Sequence, residues 1–357
     1  MISKIKNPLT KKTDNLELNS KQIAIRCLTV PEKGFGNFNR CLNVAKSLRE
    51  KGIQIFFLVD YNKSISKILK KNNFDYVSKN KFQHNSKFIL NFLNEKKIDN
   101  IIIDMREKGE IISKLLFEKN FKSILFDDAW CKNVYSDILF NGTNVKDYHK
   151  YKKINKNSKL FLGTKYWIIN KNFLLFSKKV SDIKERKKYR VVISMGGSDP
   201  HNLTQNVVDS IKSIKILNIA IIVGPFFNNL VELKNKIKSY RNIKLINSTE
   251  EIWKDFSTAD IAITNGGNTL FELCALSIPT ISIPAFKHEV KYSEEFMNQK
   301  FSINLGLKQI NQKKIQFTLL NLLENTSIRK KMFYSGKNIV DGKGLSRVQK
   351  IILNSLN

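Results

Sequence analysis

The chain has 357 residues, of which 42% are hydrophobic, and its 62 basic and 31 acidic side chains give a formal net charge of +31. This length exceeds what one hydrophobic core usually supports, so two domains are expected. No run approaches the roughly 20 apolar residues of a membrane span. Residues 1–20 lack the apolar stretch of a signal peptide, so we expect a cytoplasmic protein.

The cysteines and the basic charge exclude several kinds of site. Cys27, Cys41, Cys131 and Cys274 stand far apart, with no CxxC pair and no histidine at ligand spacing, which predicts buried free thiols rather than disulfides or zinc. The excess lysines are spread along the chain, whereas nucleic-acid-binding proteins more often cluster their charge. We therefore expect an anionic small-molecule partner and no nucleic acid, although a basic face allows weak contact with an anionic membrane surface.

Residues 1–20 are predicted to form a disordered tail. The predicted secondary structure then begins with a βαβ unit. A buried strand at 23–30, a helix at about 39–50 and a strand at 53–59 are predicted. The turn between the first strand and the helix reads Gly34-Phe35-Gly36-Asn37-Phe38-Asn39-Arg40. It is not the dinucleotide GxGxxG, because Asn39 stands where the third glycine is expected, and no nicotinamide cofactor is predicted.

Acidic residues follow two further apolar runs of the first half. The run at 101–103 ends in Asp104, and the run at 123–126 ends in Asp127-Asp128. The carboxyl ends of parallel strands meet at the crevice where open α/β sheets bind ligands. Aspartate also caps loops and forms turns, so a functional and a structural role both stay open.

A charged stretch at 177–190 marks the predicted boundary between an N-terminal domain, residues 21–176, and a C-terminal domain, residues 177–357. A second α/β series then begins with a strand at 190–195, a glycine loop and a helix near Asn202. The loop reads Gly196-Gly197-Ser198-Asp199-Pro200. Later strands are predicted at 219–223, which ends at Gly224, and at 243–246.

The stretch 259–273 is typical of a strand, a tight turn and a helix N-terminus. It contains the segment Asn265-Gly266-Gly267-Asn268-Thr269, and free backbone N–H groups at such a terminus attract anions. Asn268 or Thr269 is the predicted N-cap. Glu272 lies one turn into the helix, where its carboxylate could accept two hydrogen bonds from a ribose diol. Alternatively, Glu272 only closes its own helix as a capping-box glutamate.

These segments resemble, in order, those of known sugar-nucleotide enzymes. The loop at 34–40 resembles the GxGHxxR loop of PseG, the pseudaminic-acid pathway hydrolase that removes UDP from a UDP-linked diacetamido-trideoxy sugar. The likeness covers roughly residues 21–310. The second half also resembles MurG-type family 28 glycosyltransferases, including Phe286-Lys287-His288. The resemblance implies an α/β protein of GT-B fold, in which two Rossmann-like domains face a central cleft.

The resemblance also implies roles for individual residues. The diphosphate would lie on Gly266, Gly267, Asn268 and Thr269, and the uridine ribose on Glu272. Further substrate-binding positions would be Gly34, Gly36, Arg40, Gly196, Gly197, Ser198, Gly224 and His288. One position departs from both families, because Asn37 stands where they carry histidine. An amide does not exchange a proton usefully near neutral pH.

The sequence therefore predicts an enzyme that cleaves the anomeric C–O bond of a UDP-sugar and releases UDP, without a tightly held metal or other cofactor. The acceptor is water in a PseG-like hydrolase of surface-glycan, nonulosonic acid-type biosynthesis, and a sugar, lipid or peptide hydroxyl in a transferase. A non-catalytic UDP-sugar binder is a further alternative. Asp127 or Asp128 is the first candidate for the base, and Asp104 and then His288 follow. Asn37 would contribute only hydrogen bonds.

Overall fold

A computed structural model describes residues 21–30, 36–79, 86–180, 182–247, 251–309 and 311–356. The predicted tail, residues 1–20, and Gly34 lie outside the described residues. Within those ranges the chain forms two parallel sheets, one in each half, and a small ribbon of two strands. The family resemblance and the repeated βα pattern both led to this expectation, and the α/β architecture is confirmed.

The first sheet has the order β3-β2-β1-β4-β5-β7-β9. Its strands are β1 (Gln22–Cys27), β2 (Gln54–Asp60), β3 (Asp75–Lys79), β4 (Asn100–Asp104), β5 (Lys122–Phe126), β7 (Ile138–Asn141) and β9 (Lys159–Leu162), and β6 (Asn133–Val134) pairs with β8 (Lys152–Lys153). The helices of this half are α1 (Gly36–Arg49), α2 (Lys63–Lys71), α3 (Ser86–Lys96), α4 (Gly109–Glu118) and α5 (Lys171–Ser177).

The first sheet is covered on both faces, which explains its continuous apolar runs. Ile23 and Ile25 of β1 lie in one core cluster with Phe38 of α1, whereas Ala24 lies in the cluster on the other face with Leu116 of α4. Successive residues of a strand point to opposite faces. Residues 23–27 of β1 are all buried, and this strand therefore lacks the alternation of polar and apolar residues that a half-exposed strand shows.

The second sheet has the order β12-β11-β10-β13-β14-β15. Its strands are β10 (Tyr189–Ser194), β11 (Leu217–Val223), β12 (Ile243–Asn247), β13 (Ile261–Thr264), β14 (Thr280–Ser282) and β15 (Ser302–Asn304). The remaining helices are α6 (Leu203–Ile211), α7 (Leu230–Ile237), α8 (Ile252–Phe256), α9 (Asn268–Leu276), α10 (Lys287–Asn298), α11 (Gln312–Glu324), α12 (Thr326–Ile339) and α13 (Gly344–Ser355).

The strand order of each sheet reverses at one point, between β1 and β4 and between β10 and β13. Ligands of open α/β sheets bind at the carboxyl ends of the strands that flank such a reversal. In the first half these ends lead into α1 and to Asp104. In the second half they lead to Gly196 and to Gly266. The predicted site residues are thus concentrated at the two reversals.

The two halves contact each other through aromatic and polar side chains. Trp167, which follows β9, stacks on Phe271 of α9 with ring centroids 3.6 Å apart. Asn144 Nδ2 donates to the backbone oxygen of Tyr292 in α10 at 3.2 Å. Both Trp167 and Phe271 are buried. These contacts hold the carboxyl ends of the two sheets close together.

The last helix of the chain returns to the first half. Leu345, Val348 and Ile352 of α13 belong to the same core cluster as Phe38 of α1, and Gln349 Nε2 donates to the backbone oxygen of Ser47 at 2.5 Å. The domain boundary near residue 177 stays a prediction. Whatever its position, the first half is completed by residues from the end of the chain.

The four cysteines are free and buried, as predicted. No helix within the described ranges combines the length and the apolar character that crossing a membrane requires.

The position of α13 predicts that Ile352→Ala destabilises the first half by about 2–5 kcal/mol, because it removes a buried side chain and leaves a cavity. Denaturant unfolding measures the change, and Lys350→Ala, on the exposed face of the same helix, is the control. Equal stability of the two variants would show that α13 does not complete this core.

Candidate active site

Arg40 is the centre of the polar cluster in the first half. From α1 its guanidinium donates to both oxygens of Asp104, with Nε to Oδ2 at 2.8 Å and Nη2 to Oδ1 at 2.7 Å. The same group donates to Asp128, with Nη1 to Oδ1 at 2.6 Å and Nη2 to Oδ2 at 3.1 Å. Burial alone would lower the pKa of Arg40, but the two carboxylates outweigh this effect and hold the pKa well above its usual range. Arg40 is therefore a permanent buried cation.

Asp104 and Asn37 act on this cluster rather than on the cleft. Asp104 is fully buried, and its Oδ1 also accepts a hydrogen bond from Asn37 Nδ2 at 2.5 Å. Burial raises the pKa of Asp104, whereas Arg40 and Asn37 oppose that shift. With Arg40, Asn37 and Cys41 around it, the carboxylate has no open side for an acceptor. Asn37 thus helps to orient Asp104.

Asp127 is also occupied by its own neighbourhood. Its Oδ1 accepts from the backbone N–H groups of Trp130 and Cys131 at 3.0 and 3.3 Å, and its Oδ2 accepts from the Tyr151 hydroxyl at 2.7 Å. Burial raises the pKa of Asp127 to about 6, although the bond from Tyr151 opposes the shift. This carboxylate holds the loop after β5 in place, which is the structural role that the sequence left open.

Asp128 differs from its two acidic neighbours in accessibility. Its side chain is 18% exposed, against 1% for Asp104. It is paired with Arg40 and is close enough to Tyr292 and His288 of α10 to influence the pKa of both. Asp128 is therefore the carboxylate of this cluster that both faces the second half and retains contact with solvent.

The Gly266-Gly267 loop is packed against α10. A Cβ on Gly266 would lie 2.6 Å from Ser293 Oγ and 2.8 Å from the Glu289 backbone oxygen, and one on Gly267 would lie 2.7 Å from Glu289 Oε1. Neither glycine has a positive φ, so the close approach of α10 requires them. The predicted N-cap is also wrong, because Gly267 occupies that position and Asn268 is the first residue of α9. The backbone is extended at Gly267, and the helix begins directly after it, at least one residue earlier than predicted.

Glu289 is a residue that the sequence analysis missed. Its Oε1 accepts from Asn265 Nδ2 at 3.1 Å, and its Oε2 accepts from the Ala285 N–H at 2.8 Å and the Phe286 N–H at 3.3 Å. Burial raises its pKa to about 7, although these backbone bonds and one from Gly266 oppose the shift. Glu289 lies three residues after the N-cap Phe286 and accepts from its N–H group. This is the glutamate half of a capping box, and the sequence signal is weak because phenylalanine cannot supply the other half.

The first turns of α1 and α9 approach each other across the two halves. A Cβ on Gly36, the first residue of α1, would lie 2.7 Å from Asn268 Nδ2 at the first position of α9. The first four N–H groups of a helix have no partner within that helix, and the helix dipole adds positive potential. Two such ends meet here, with Thr269 in the first turn of α9. The arrangement suits a diphosphate.

Glu272 lies one turn into α9 and is half-buried. Burial raises the pKa of Glu272 to about 8. Because the N-cap is Gly267 and no side-chain cap is formed, Glu272 is not the capping-box residue of its helix. Among the described residues, no protein donor forms a hydrogen bond with its carboxyl group. The alternative of a purely structural role is thus not supported by the helix geometry.

Gly196, Gly197 and Gly224, which lie at the ends of β10 and β11, have different roles. Gly196 has φ +83°, a conformation that glycine adopts without strain. A Cβ on Gly224 would collide with the backbone of Gly197, whereas one on Gly197 would meet no heavy atom within 4 Å. Gly224 therefore supports the loop, and Gly197 and the half-buried Ser198 lie at its surface. Contact of these residues with a nucleotide stays a prediction.

His288 is the second residue of α10 and lies in an aromatic group. Its ring is 5.7 Å from that of Phe286 and 5.6 Å from that of Trp130, which belongs to the first half. Burial lowers the pKa of His288 to about 4, and the nearby Arg106 contributes. The imidazole is neutral near pH 7, so it can accept or donate a hydrogen bond but is a weak base.

Metal chemistry was not expected for this site. Within the described ranges, no three His, Cys, Asp or Glu side chains are grouped so that they could hold a metal ion. The independence of the reaction from metals stays a prediction.

Residues 175–339 match the glycosyltransferase family 28 C-terminal domain. The match contains the Gly266-Gly267 loop, Glu272 and Glu289. The crystal structure of Acinetobacter baumannii MurG superposes with a TM-score of 0.69 at 14% identity, covering 94% of this chain and 99% of that protein. The fold is thus GT-B, as the resemblance implied.

Two sequence relatives extend the likeness to the first half. The spore coat polysaccharide biosynthesis protein SpsG of Bacillus subtilis is 24% identical over 90% of this chain and 94% of its own length. The UDP-2,4-diacetamido-2,4,6-trideoxy-beta-L-altropyranose hydrolase of Campylobacter jejuni is 27% identical over 53% of this chain and 67% of its own. Two further relatives are longer, and the chain spans 58% and 54% of their lengths. The expected relation to PseG-type proteins is confirmed, and the protein is an enzyme.

The packing of Gly266 predicts that Gly266→Ala lowers the unfolding free energy by about 1–3 kcal/mol, the usual cost of an added methyl group in a filled space. Gly197→Ala is the matched control and should change stability by less than about 0.5 kcal/mol. Denaturant midpoints of both variants test this. A Gly266→Ala protein as stable as its control would contradict the close approach of α10.

The raised pKa of Glu272 predicts a pH-dependent affinity for UDP. A ribose diol donates to the ionised carboxylate, so binding requires the loss of the Glu272 proton below about pH 8. The association constant should rise by up to about tenfold per pH unit from pH 6.5 and level off above pH 8. Calorimetry on the wild type and on Glu272→Gln gives the comparison, since UDP's own ionisation affects both. Parallel profiles would exclude this role for Glu272.

Proposed function

We propose that the protein binds a UDP-sugar between its two halves and cleaves the anomeric C–O bond, with release of UDP. The observation that carries this proposal is the meeting of the α1 and α9 N-termini, next to a half-buried carboxyl group with a raised pKa. Two helix ends supply N–H donors for a diphosphate. Glu272, one turn away on α9, is at the right distance along the helix to accept from a ribose.

The reaction exchanges one C–O bond for another at the anomeric carbon and transfers one proton. The bond between the anomeric carbon and the β-phosphate oxygen breaks, and its electron pair leaves with UDP. The oxygen of the acceptor forms the new bond to that carbon, and its proton passes to a base. Negative charge grows on the diphosphate as the bond breaks, so preorganised donors at the α9 N-terminus lower the barrier.

We assign the base to Asp128. All three carboxylates accept hydrogen bonds at both oxygens, but Asp104 and Asp127 are buried. The side chain of Asp128, whose two oxygens both accept from Arg40, is 18% exposed. Arg40 carries one positive charge and faces two carboxylates, so the three groups together have a net charge of −1. Asp128 can therefore take up a proton while Asp104 still neutralises the buried guanidinium.

Water is the acceptor in the proposed PseG-like reaction of surface-glycan sugar biosynthesis, in keeping with the name of the Campylobacter relative. Transfer to a sugar, lipid or peptide hydroxyl is the second candidate, and Asn37 favours it. The amide of Asn37 is engaged with Asp104, so the histidine that both families use at this position has no counterpart here. A cytoplasmic location and weak contact with an anionic membrane surface remain part of the proposal.

The base assignment predicts that Asp128→Asn lowers the turnover number for UDP release by about 10²- to 10⁴-fold, the usual contribution of a general base. The UDP dissociation constant should stay unchanged, since Asp128 does not hold the nucleotide. UDP release is measured on a panel of UDP-sugars, with water alone and with hydroxyl acceptors. Asp127→Asn, the same change at the neighbouring residue, should lower stability more than rate.

The same panel separates the alternatives. If the wild type releases UDP and the Asp128→Asn variant releases it at the same rate, Asp128 is not the base. Hydrolysis that appears or rises strongly in Asn37→His would identify a PseG-like enzyme that has lost its histidine. Tight UDP binding without turnover in any variant would favour a non-catalytic binder.

A further inference from the structure

Arg106 lies at the strand reversal of the first sheet and faces the second half. It follows β4 by two residues and begins a short 3-10 turn, Arg106–Lys108. Its backbone is in the left-handed region, with φ +47°, which is uncommon for a residue with a side chain. The two residues that precede it, Asp104 and Met105, are buried. Strained residues of this kind are concentrated at functional sites.

The side chain of Arg106 reaches towards α10. Its guanidinium carbon lies 5.8 Å from the centroid of Trp130, whose ring lies 5.6 Å from that of His288. The positive charge acts on two residues of the first turn of α10. After burial, it is the largest cause that lowers the pKa of His288, and it also opposes the rise that burial causes in the pKa of Glu289.

A diphosphate on the Gly266-Gly267 loop requires a positive charge nearby. Glu289 contacts the Gly266-Gly267 loop in two ways. It accepts a hydrogen bond from Asn265, and its carboxyl group closely approaches Gly267. A diphosphate on the other side of this loop would be repelled by the ionised Glu289. The partial positive charge of the α9 N-terminus, about half an elementary charge, does not balance both groups. The charge of Arg106 acts on Glu289 from the first half of the chain.

We propose that Arg106 binds the diphosphate of the nucleotide from the first half of the chain, opposite the α9 N-terminus. The assignment deepens the proposed function and rests on it. An arginine can donate two parallel hydrogen bonds to phosphate oxygens. Bound in this way, the leaving group joins the two halves, and Arg106 stabilises the negative charge that UDP gains when the anomeric bond breaks.

The test compares uridine, UMP and UDP as ligands of the full chain by calorimetry. Arg106→Ala should weaken UDP by about tenfold or more, as expected for a lost hydrogen bond to a charged group, and should leave uridine within about twofold. Arg106→Lys, which keeps the charge, should restore part of the loss. Lys291→Ala is the control, because it removes one positive charge from the exposed face of α10.

The outcomes separate this assignment from the proposed function. Unchanged UDP affinity in Arg106→Ala, or equal loss for uridine and UDP, would overturn the role of Arg106 while the nucleotide site stands. A comparable loss in Lys291→Ala would show a general effect of charge and would also overturn it. Glu272→Ala should weaken uridine and UDP alike. If it weakens neither, or if the wild type does not bind UDP, the nucleotide site itself is wrong and Arg106 loses its ligand.

Discussion

The guanidinium of Arg40, held between Asp104 and Asp128, is the interaction on which the first half of the cleft depends. It joins α1 to the ends of β4 and β5, and all three groups are largely buried. Breaking such a pair by removing one partner typically costs about 3–5 kcal/mol, because an uncompensated charge remains inside. The first turn of α1, the loop after β5 and the one accessible carboxylate are therefore fixed relative to one another.

Glu289 has the corresponding role in the second half, with the opposite charge. It fixes the Gly266-Gly267 loop through Asn265 and the first turn of α10 through two backbone N–H groups. A buried cation in one half and a buried anion in the other thus position the two helix ends that face each other. Because the protein itself fixes these two helix ends, the diphosphate that we propose to bind there would require no rearrangement of the backbone.

Sequence patterns located most central strands because those strands are buried on both faces. The runs at 101–103 and 219–223 fall within β4 and β11, and the acidic residues after β4 and β5 were correctly placed at the carboxyl edge. The pairing of Arg40 with Asp104 and Asp128 could not be predicted, since 64 and 88 residues separate the partners. The return of α13 to the first core is equally non-local. At Gly266, the sequence could not show that the loop packs against α10 so closely that only a glycine fits.

The central claim is that the diphosphate of a UDP-sugar lies at the α9 N-terminus with its ribose on Glu272. A crystal structure of the full chain with UDP tests it most directly. We expect phosphate oxygens within hydrogen-bond distance of the N–H groups of Asn268 and Thr269, and both ribose hydroxyls on the Glu272 carboxylate. UDP bound elsewhere, for example along Arg26 and Asp60 at the end of β2, with the α9 N-terminus empty, would contradict it.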